Sequence, residues 1–307
     1  MSLSIAELDS VTLRYIMPKM FDNIFDSNPF LQRIMKGGAY KSQDGGTSIQ
    51  IPLNYAQTTS AGWYSGADTL QTTDNENITN AVYQWASFYS NISLTEDDKL
   101  KNSGSSAVLN LLKQKSMIAE KTAKDNIGEG LYSDGSNAKS IVGLTDIIAI
   151  DQTVGGISQA DNSWWQGNVD SATTTLTMAA MQALWEDCSI DNEQPTVALT
   201  TRSVFNKYYG LLQPQQRFTD SDTAKGGFQN LMFNGAPVIV DSHIASGRMN
   251  FVNEKHIHLF YHPKQNFTFG GFQKPVNQEV SVGRVKWMGA LGSSNNRLHG
   301  VLTAITA

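Results

Sequence analysis

Apolar residues fall into three kinds of run along this chain, and each predicts a different element. Between Ala6 and Met35, the residues Leu8, Val11, Leu13, Tyr15, Ile16, Phe21, Ile24, Phe25, Phe30, Leu31 and Ile34 follow helical spacing broken at Pro18 and Pro29. This predicts two short helices on an arm, because proline interrupts a helix. So many apolar residues ahead of Gly37 and Gly38 need a surface to lie on, and the adjoining sequence supplies none. Next, Ile49, Ile51, Leu53 and Tyr55 alternate with Gln50, Pro52 and Asn54, the period of a strand, with Pro52 placing it at an edge. Residues 82–94 are its expected partner. The polar stretch 57–80, with Trp63 and Tyr64 as its main aromatics, exceeds ordinary connection lengths and predicts a long two-stranded loop projecting from the body.

Thr95 followed by Glu96, Asp97 and Asp98 is an N-cap with acidic residues in the first turn, so a helix begins there or at Ser105, after Gly104. Val108, Leu111, Leu112, Ile118, Ala119, Thr122, Ile127 and Leu131 form its expected apolar stripe. Lys113, Lys115, Lys121 and Lys124 lie mainly off that stripe, and Gly128, Gly130 and Gly135 supply stop signals. This is the longest predicted helix. Residues 141–150 read as a buried strand or loop leading to Trp164 and Trp165. Met178, Met181, Leu184, Trp185 and Cys188 then mark an amphipathic helix, followed by a strand at 196–200, a helix over 203–212 ended by Pro214, and a strand at 236–240 after Asn234 and Gly235. That alternation predicts a small α/β subdomain. Strand-like runs at 257–261, 267–272, 276–287 and 298–305 predict a closing antiparallel meander.

A chain of 307 residues with 40% hydrophobic content can support one large core or two smaller ones. Its charged fraction, 17%, is below the usual figure of about 25% and suits a strand-rich protein with uncharged polar surfaces. One Cys excludes a disulfide framework and any Cys-based zinc cluster. With 23 Lys plus Arg against 28 Asp plus Glu, the net charge of -5 opposes the electrostatic footprint of a nucleic-acid reader. There is no apolar run of membrane-helix length, and residues 1–10 lack a basic n-region and an apolar h-region. A soluble, non-exported chain without a membrane partner is expected.

Catalytic motifs are absent. There is no phosphate loop, no dinucleotide fingerprint and no serine elbow; in the stretch Gly62 to Gly66, Ser65 stands one place too late. Asp134, Gly135, Ser136 and Asn137 open like a calcium loop, but Ala138 and Thr145 occupy the fifth and twelfth ligand positions, so a β-turn is expected. His256, His258 and His262 share parity and, with Glu254, would face one side of a strand, a spacing compatible with metal ligation. No Asp or further His nearby completes a shell, and Pro263 bends the chain beyond His262. Cys188 reads as a packing residue. Trp63, Trp85, Trp164, Trp165, Trp185 and Trp287 are scattered, which favours core or subunit interface. No catalytic residue, cofactor-binding residue, metal ligand or cofactor is assigned.

The order of arm, extended loop, long helix, α/β subdomain and closing strands resembles the major capsid proteins of tailed bacteriophages, the HK97-like family. The segments that carry the resemblance are Asp125-Asn126-Ile127-Gly128-Glu129-Gly130-Leu131 with Asp134-Gly135 and Gly143-Leu144; Thr200-Thr201-Arg202 with Tyr208 and Tyr209; Asn234-Gly235-Ala236-Pro237-Val238 to Asp241; and Pro275-Val276-Asn277-Gln278 leading to Trp287, Gly289, Leu291 and Asn296-Arg297-Leu298. It spans nearly the whole chain.

The resemblance implies an α+β fold with an N-terminal arm (1–38), an extended β-hairpin loop (39–93), a peripheral domain with a long spine helix and long strands (94–145 and 253–307), and an α/β axial domain (146–252). It implies no enzyme but a self-assembling structural protein whose hexamers and pentamers build an icosahedral shell around double-stranded DNA, without sequence-specific binding. The expected partners are further copies of the chain, a separate scaffolding protein, a portal and decoration proteins. The expected location is the virion, after assembly in the host cytoplasm. Three alternatives stay open: a metal-dependent enzyme using His256, His258 and His262, an encapsulin-like nanocompartment shell, and a carbohydrate-binding or adhesive virion protein.

Overall fold

The computed structural model of the chain describes residues 28–73, 75–97, 105–212 and 231–306. The helix expected before Pro18, the acidic start at Asp98 and the stop at Pro214 lie outside them. In chain order the elements are α1 (Pro29–Lys36), β1 (Tyr40–Ser42), β2 (Ile49–Asn54), β3 (Ile78–Tyr83), β4 (Ala86–Thr95), α2 (Ser105–Leu131) and α3 (Leu144–Ile147). There follow β5 (Thr153–Val154), β6 (Ile157–Ser158), β7 (Asn168–Asp170), α4 (Met178–Asp187), β8 (Val197–Thr200), α5 (Arg202–Leu212), β9 (Met232–Phe233) and β10 (Ala236–Val240). The chain closes with β11 (Met249–Val252), β12 (Ile257–Tyr261), β13 (Thr268–Gln273), β14 (Val280–Ser293) and β15 (Gly300–Leu302).

Strand β14 organises the first sheet. Its first half alternates burial, with Ser281, Gly283, Val285 and Trp287 inward, and from Gly289 onward every residue is buried. Such a strand needs partners on both sides. It pairs antiparallel with β4 along one edge and with β12 and β13 along the other, while β1 joins β12 in parallel. The expected meander is therefore corrected: β12 and β13 follow one another along one edge of β14, and β4 covers the other. The last strand, β15, leaves for the second sheet, whose order is β7-β15-β11-β8-β10-β9.

That six-stranded sheet separates two cores, and strand alternation divides its residues between them. Val197, Leu199, Val252 and Val301 enter the larger core with α1, α2 and the first sheet. Ala198, Met249, Phe251 and Leu302 enter the smaller one with Met181, Leu184 and Trp185 of α4 and Val204 and Tyr208 of α5. Helix α4 starts as its sequence predicts, the Thr177 side chain accepting the Ala180 N–H at 3.1 Å.

Three helix expectations are corrected. Phe30, Leu31 and Ile34 of α1 are covered by their own chain, buried in the larger core. On α2 the side chains of Val108, Leu111 and Leu112 lie outside those described; over 113–131 the buried stripe is Ser116, Ala119, Ala123, Ile127 and Leu131, whereas Ile118 is 66% exposed and Thr122 faces solvent. Small residues bring α2 close to β4, where the Ser90 hydroxyl donates to the Ala119 carbonyl at 3.3 Å. Gly128 and Gly130 do not stop the helix, which runs through them to Leu131. A Cβ on Gly128 would stand 2.4 Å from the His243 ring, so that glycine serves close packing.

Candidate functional site: the projecting hairpin

The expected hairpin exists, with a corrected partner. Strand β2 pairs with β3 from Ile49↔Tyr83 to Asn54↔Ile78, and the run 82–94 breaks at Gln84 and Trp85 into β3 and the separate strand β4. Ile49, Ile51 and Leu53 face the body while Gln50, Pro52 and Asn54 face solvent. A two-stranded ribbon is marginal by itself, so its base must be anchored.

Three anchors hold it. The Tyr83 hydroxyl donates to the Ser293 carbonyl and accepts the Ser293 N–H, both at 3.0 Å. The Val82 N–H donates to the Gly155 carbonyl at 2.8 Å, and Gly155, at φ +60, lies so close that an added Cβ would come within 2.8 Å of the Ala81 methyl. Tyr55 stacks on Trp164 with ring centroids 4.8 Å apart. Burial also pushes the Tyr83 hydroxyl well above the usual tyrosine range, keeping it neutral as donor and acceptor.

Beyond the base the loop is internally tied but uncovered. Asn75 accepts the Thr59 N–H at 3.0 Å and donates to the Gln57 carbonyl, and Asn77 donates to the Thr58 hydroxyl. Near the tip the Ser65 N–H donates to Asp68 at 2.9 Å. Trp63 is as open as an isolated residue, at 106%, and Tyr64 and Leu70 are 68% and 58% exposed. These apolar side chains, at the end of a loop tied by polar bonds, have no cover among the described residues.

The residues singled out for chemistry are dispersed. His256 lies in a turn before β12 and its Nδ1 sits 2.9 Å from the Ser294 hydroxyl; His258 is on β12; His262 caps the next turn, accepting the Lys264 N–H at 3.2 Å. They do not share one strand face, which corrects the parity argument. Glu254 is committed to Arg33 through two bonds of 2.7 Å. Burial, reinforced by Lys41, lowers the His258 pKa to about 4. Among the described residues no three of His, Cys, Asp or Glu gather as a metal site.

Cys188 is fully buried, and desolvation pushes its thiol up to about 12. Asp134 forms the expected turn, accepting the Ser136 N–H at 3.1 Å. Trp165, Trp185 and Trp287 are core residues, and the Trp85 indole donates to the Gly46 carbonyl at 3.0 Å. Among the described residues no helix is long and apolar enough to cross a membrane.

No protein-family model and no curated protein matches the sequence. Solved structures do match. The capsid asymmetric unit of cyanophage A-1(L) superposes with a TM-score of 0.66 at 16% identity, over 88% of this chain and 91% of that one. The capsid of a native GTA particle gives 0.61 at 11% identity, over 87% and 88%. The holo-SrpI encapsulin complex of Synechococcus elongatus PCC 7942 gives 0.55 at 10% identity, over 87% and 85%. Long antiparallel strands around β14, the helix α2 against them, the second sheet with its two helices and the projecting hairpin together constitute the α+β HK97-like fold of phage capsid proteins.

Proposed function

We propose that this chain is the major capsid protein of a tailed bacteriophage, a non-enzymatic subunit that assembles as hexamers and pentamers into an icosahedral shell around double-stranded DNA. The observation that carries the reading is a hairpin fixed rigidly at its base while Trp63, Tyr64 and Leu70 at its far end are left bare, on a fold matched over 88% of the chain by a cyanophage capsid subunit. Such a loop finds its cover on a neighbouring copy, and several modest contacts per subunit compound through multivalency.

In this reading residues 1–38 are the arm, 39–93 the extended loop, 94–145 and 253–307 the peripheral domain and 146–252 the axial domain, with β15 crossing back to the axial sheet. A separate scaffolding protein, a portal and decoration proteins are the further partners, the host cytoplasm the place of assembly and the virion the destination. A net charge of -5 suits a wall that confines DNA without gripping its phosphates. Likeness to an encapsulin complex supports a second reading, a nanocompartment shell.

Sedimentation and electron microscopy of the purified chain, alone and from phage lysate, test both. Closed shells are expected, and their contents, DNA or protein cargo, separate capsid from compartment. A monodisperse monomer or dimer from both sources would refute the shell altogether.

A further inference from the structure

We propose that the projecting hairpin is secured to the body by an acid-labile latch, the His299 ring, whose protonation frees the base of the hairpin from the seam between the two sheets. His299 is completely buried, immediately before β15. Its Nδ1 accepts the backbone N–H of Asn253, the residue after β11, at 3.2 Å. The ring is therefore neutral with its hydrogen on Nε2, which faces the Ser293 hydroxyl at 3.4 Å. Ser293 ends β14, and its backbone N–H and carbonyl are both bonded to the hydroxyl of Tyr83, the last residue of β3.

One imidazole thus joins the ends of four strands: β11 and β15 of the second sheet, β14 of the first, and β3 of the hairpin. A proton added at Nδ1 would set one N–H against another, the ring's against that of Asn253, in a site with no room for either to turn to solvent. Among the described residues no carboxylate bonds to the ring to compensate. The titratable group that acts on the ring is His256, whose Nδ1 is held at the Ser294 hydroxyl; Glu193, which acts on His256, is occupied by the Asn253 amide at 3.1 Å and by Lys255 at 3.1 Å. Burial, with His256 adding to it, lowers the His299 pKa to about 3. The sign follows: the unfolded ring takes up a proton near pH 6.5 and the folded one resists it, so the latch is fully closed above that pH and weakens as pH falls from there toward 3.

The latch is intramolecular, so its test does not depend on assembly and its failure would leave the shell reading untouched. Amide hydrogen exchange on the full chain, corrected for the intrinsic pH dependence, reads it directly. Between pH 6.5 and 4.5 the protection of the Val82, Asn253 and Ser293 amides is expected to fall together by tenfold or more, ahead of amides in α4 and β8. In His299→Asn, which cannot take the proton, protection at these sites becomes flat over that interval. In Tyr83→Phe the Asn253 amide stays acid-sensitive while Val82 no longer follows it. Constant Val82 protection in the unmodified chain overturns the proposal, as does unchanged acid sensitivity in His299→Asn. If His299→Asn fails to fold, Tyr83→Phe decides: acid-linked loss at Val82 that persists there also overturns it.

Discussion

Arg33 and Glu254 form a two-pronged pair, the guanidinium Nε and one terminal nitrogen each 2.7 Å from a carboxylate oxygen, across 221 residues of sequence. The pair ties α1 to the turn before β12, and Glu254 also accepts the Thr196 hydroxyl at 3.0 Å. Removing the cation leaves a largely buried carboxylate short of donors. Arg33→Ala should destabilise the fold by about 1–3 kcal/mol, and Arg33→Lys, which loses the planar fork, by an intermediate amount. Chemical denaturation of the two variants checks the order; equal stability of all three proteins would show that the fork contributes nothing.

Glycine in a helix normally invites replacement by alanine, a gain of up to about 1 kcal/mol. At Gly128 the sign reverses. The His243 ring that a new methyl would meet at 2.4 Å is itself held by Asp241 at 3.0 Å, and Asp241 also accepts the Tyr132 hydroxyl. Gly128→Ala is therefore expected to cost about 1–3 kcal/mol net, as overpacking does. At Gly130 the nearest atoms are Cγ1 and Cδ1 of Ile141 at 3.1 and 3.3 Å, a smaller overlap, so Gly130→Ala should be milder. Thermal melts compare the pair, and adding His243→Ala to Gly128→Ala should recover part of the loss.

Asp146, on α3, gives a pH dependence opposite in sign to that of the histidine latch. Burial, with Asp134 adding repulsion, raises its pKa to about 6. The folded chain therefore holds this proton in a range where the unfolded chain releases it. Stability contributed here grows as pH falls through 6 and is lost as pH rises through it. Asp146→Asn should stabilise by roughly 1 kcal/mol at pH 7.5, a figure reduced for the solvent that reaches the carboxyl, and by almost nothing at pH 4. Melting temperatures of variant and parent at both pH values isolate this group together with its coupling to Asp134, since the uncoupled titrations cancel in the difference.

Cys188 should be inert in the folded protein. Its sulfur lies where a Cβ on Gly300 would come within 2.4 Å, the Asn168 amide points at it from 3.5 Å, and burial holds the thiol neutral. A disulfide reagent at pH 8 should modify it only after denaturant is added. Rapid stoichiometric labelling of the native chain would show that β15 opens from α4.

What the sequence revealed follows from the range of the interactions involved. The period-2 run at Ile49, Ile51 and Leu53 and the helix with Met181, Leu184 and Trp185 were legible because each buries one face of a single element. The stripe of α2 is legible at Ala119, Ile127 and Leu131; Ile118 misleads because it is the more apolar residue, whereas contact with β4 takes the smaller Ser116, Ala119 and Ala123. Strand β11 was missed: four consecutive buried residues between two layers carry no alternation to detect. The break at Gln84 and Trp85 was hidden because β3 and β4 read as one run although they pair with different strands. Of the candidate site, the loop was visible in its length and polarity. Its anchor was not, since Tyr83 and Ser293 lie 210 residues apart and the tyrosine hydroxyl meets only backbone atoms of Ser293, which any residue possesses. The Gly155-Gly156 pair was the one local sign that a second backbone approaches there.

The final prediction separates the hairpin's base from its tip. All three anchors, Tyr83 to Ser293, Val82 to Gly155 and Tyr55 to Trp164, involve the base, and the Tyr55 N–H also donates to the Asn77 carbonyl at 3.0 Å. Residues 56–76 can therefore be replaced by an Asn-Gly turn with both strands and every anchor retained, because that dipeptide suits the tightest hairpin connection. Far-UV spectra should keep the parent's shape and the melting temperature should stay within a few degrees of it, since the described residues among those deleted contribute no side chain to either core. Closed shells, by contrast, should be lost or reduced to fragile partial assemblies in electron micrographs, and Trp63→Ala should lower assembly yield in the same direction while leaving the monomer fold intact. Particles of normal size and denaturant resistance from the shortened chain would show that the bare aromatic tip has no part in holding neighbouring copies together.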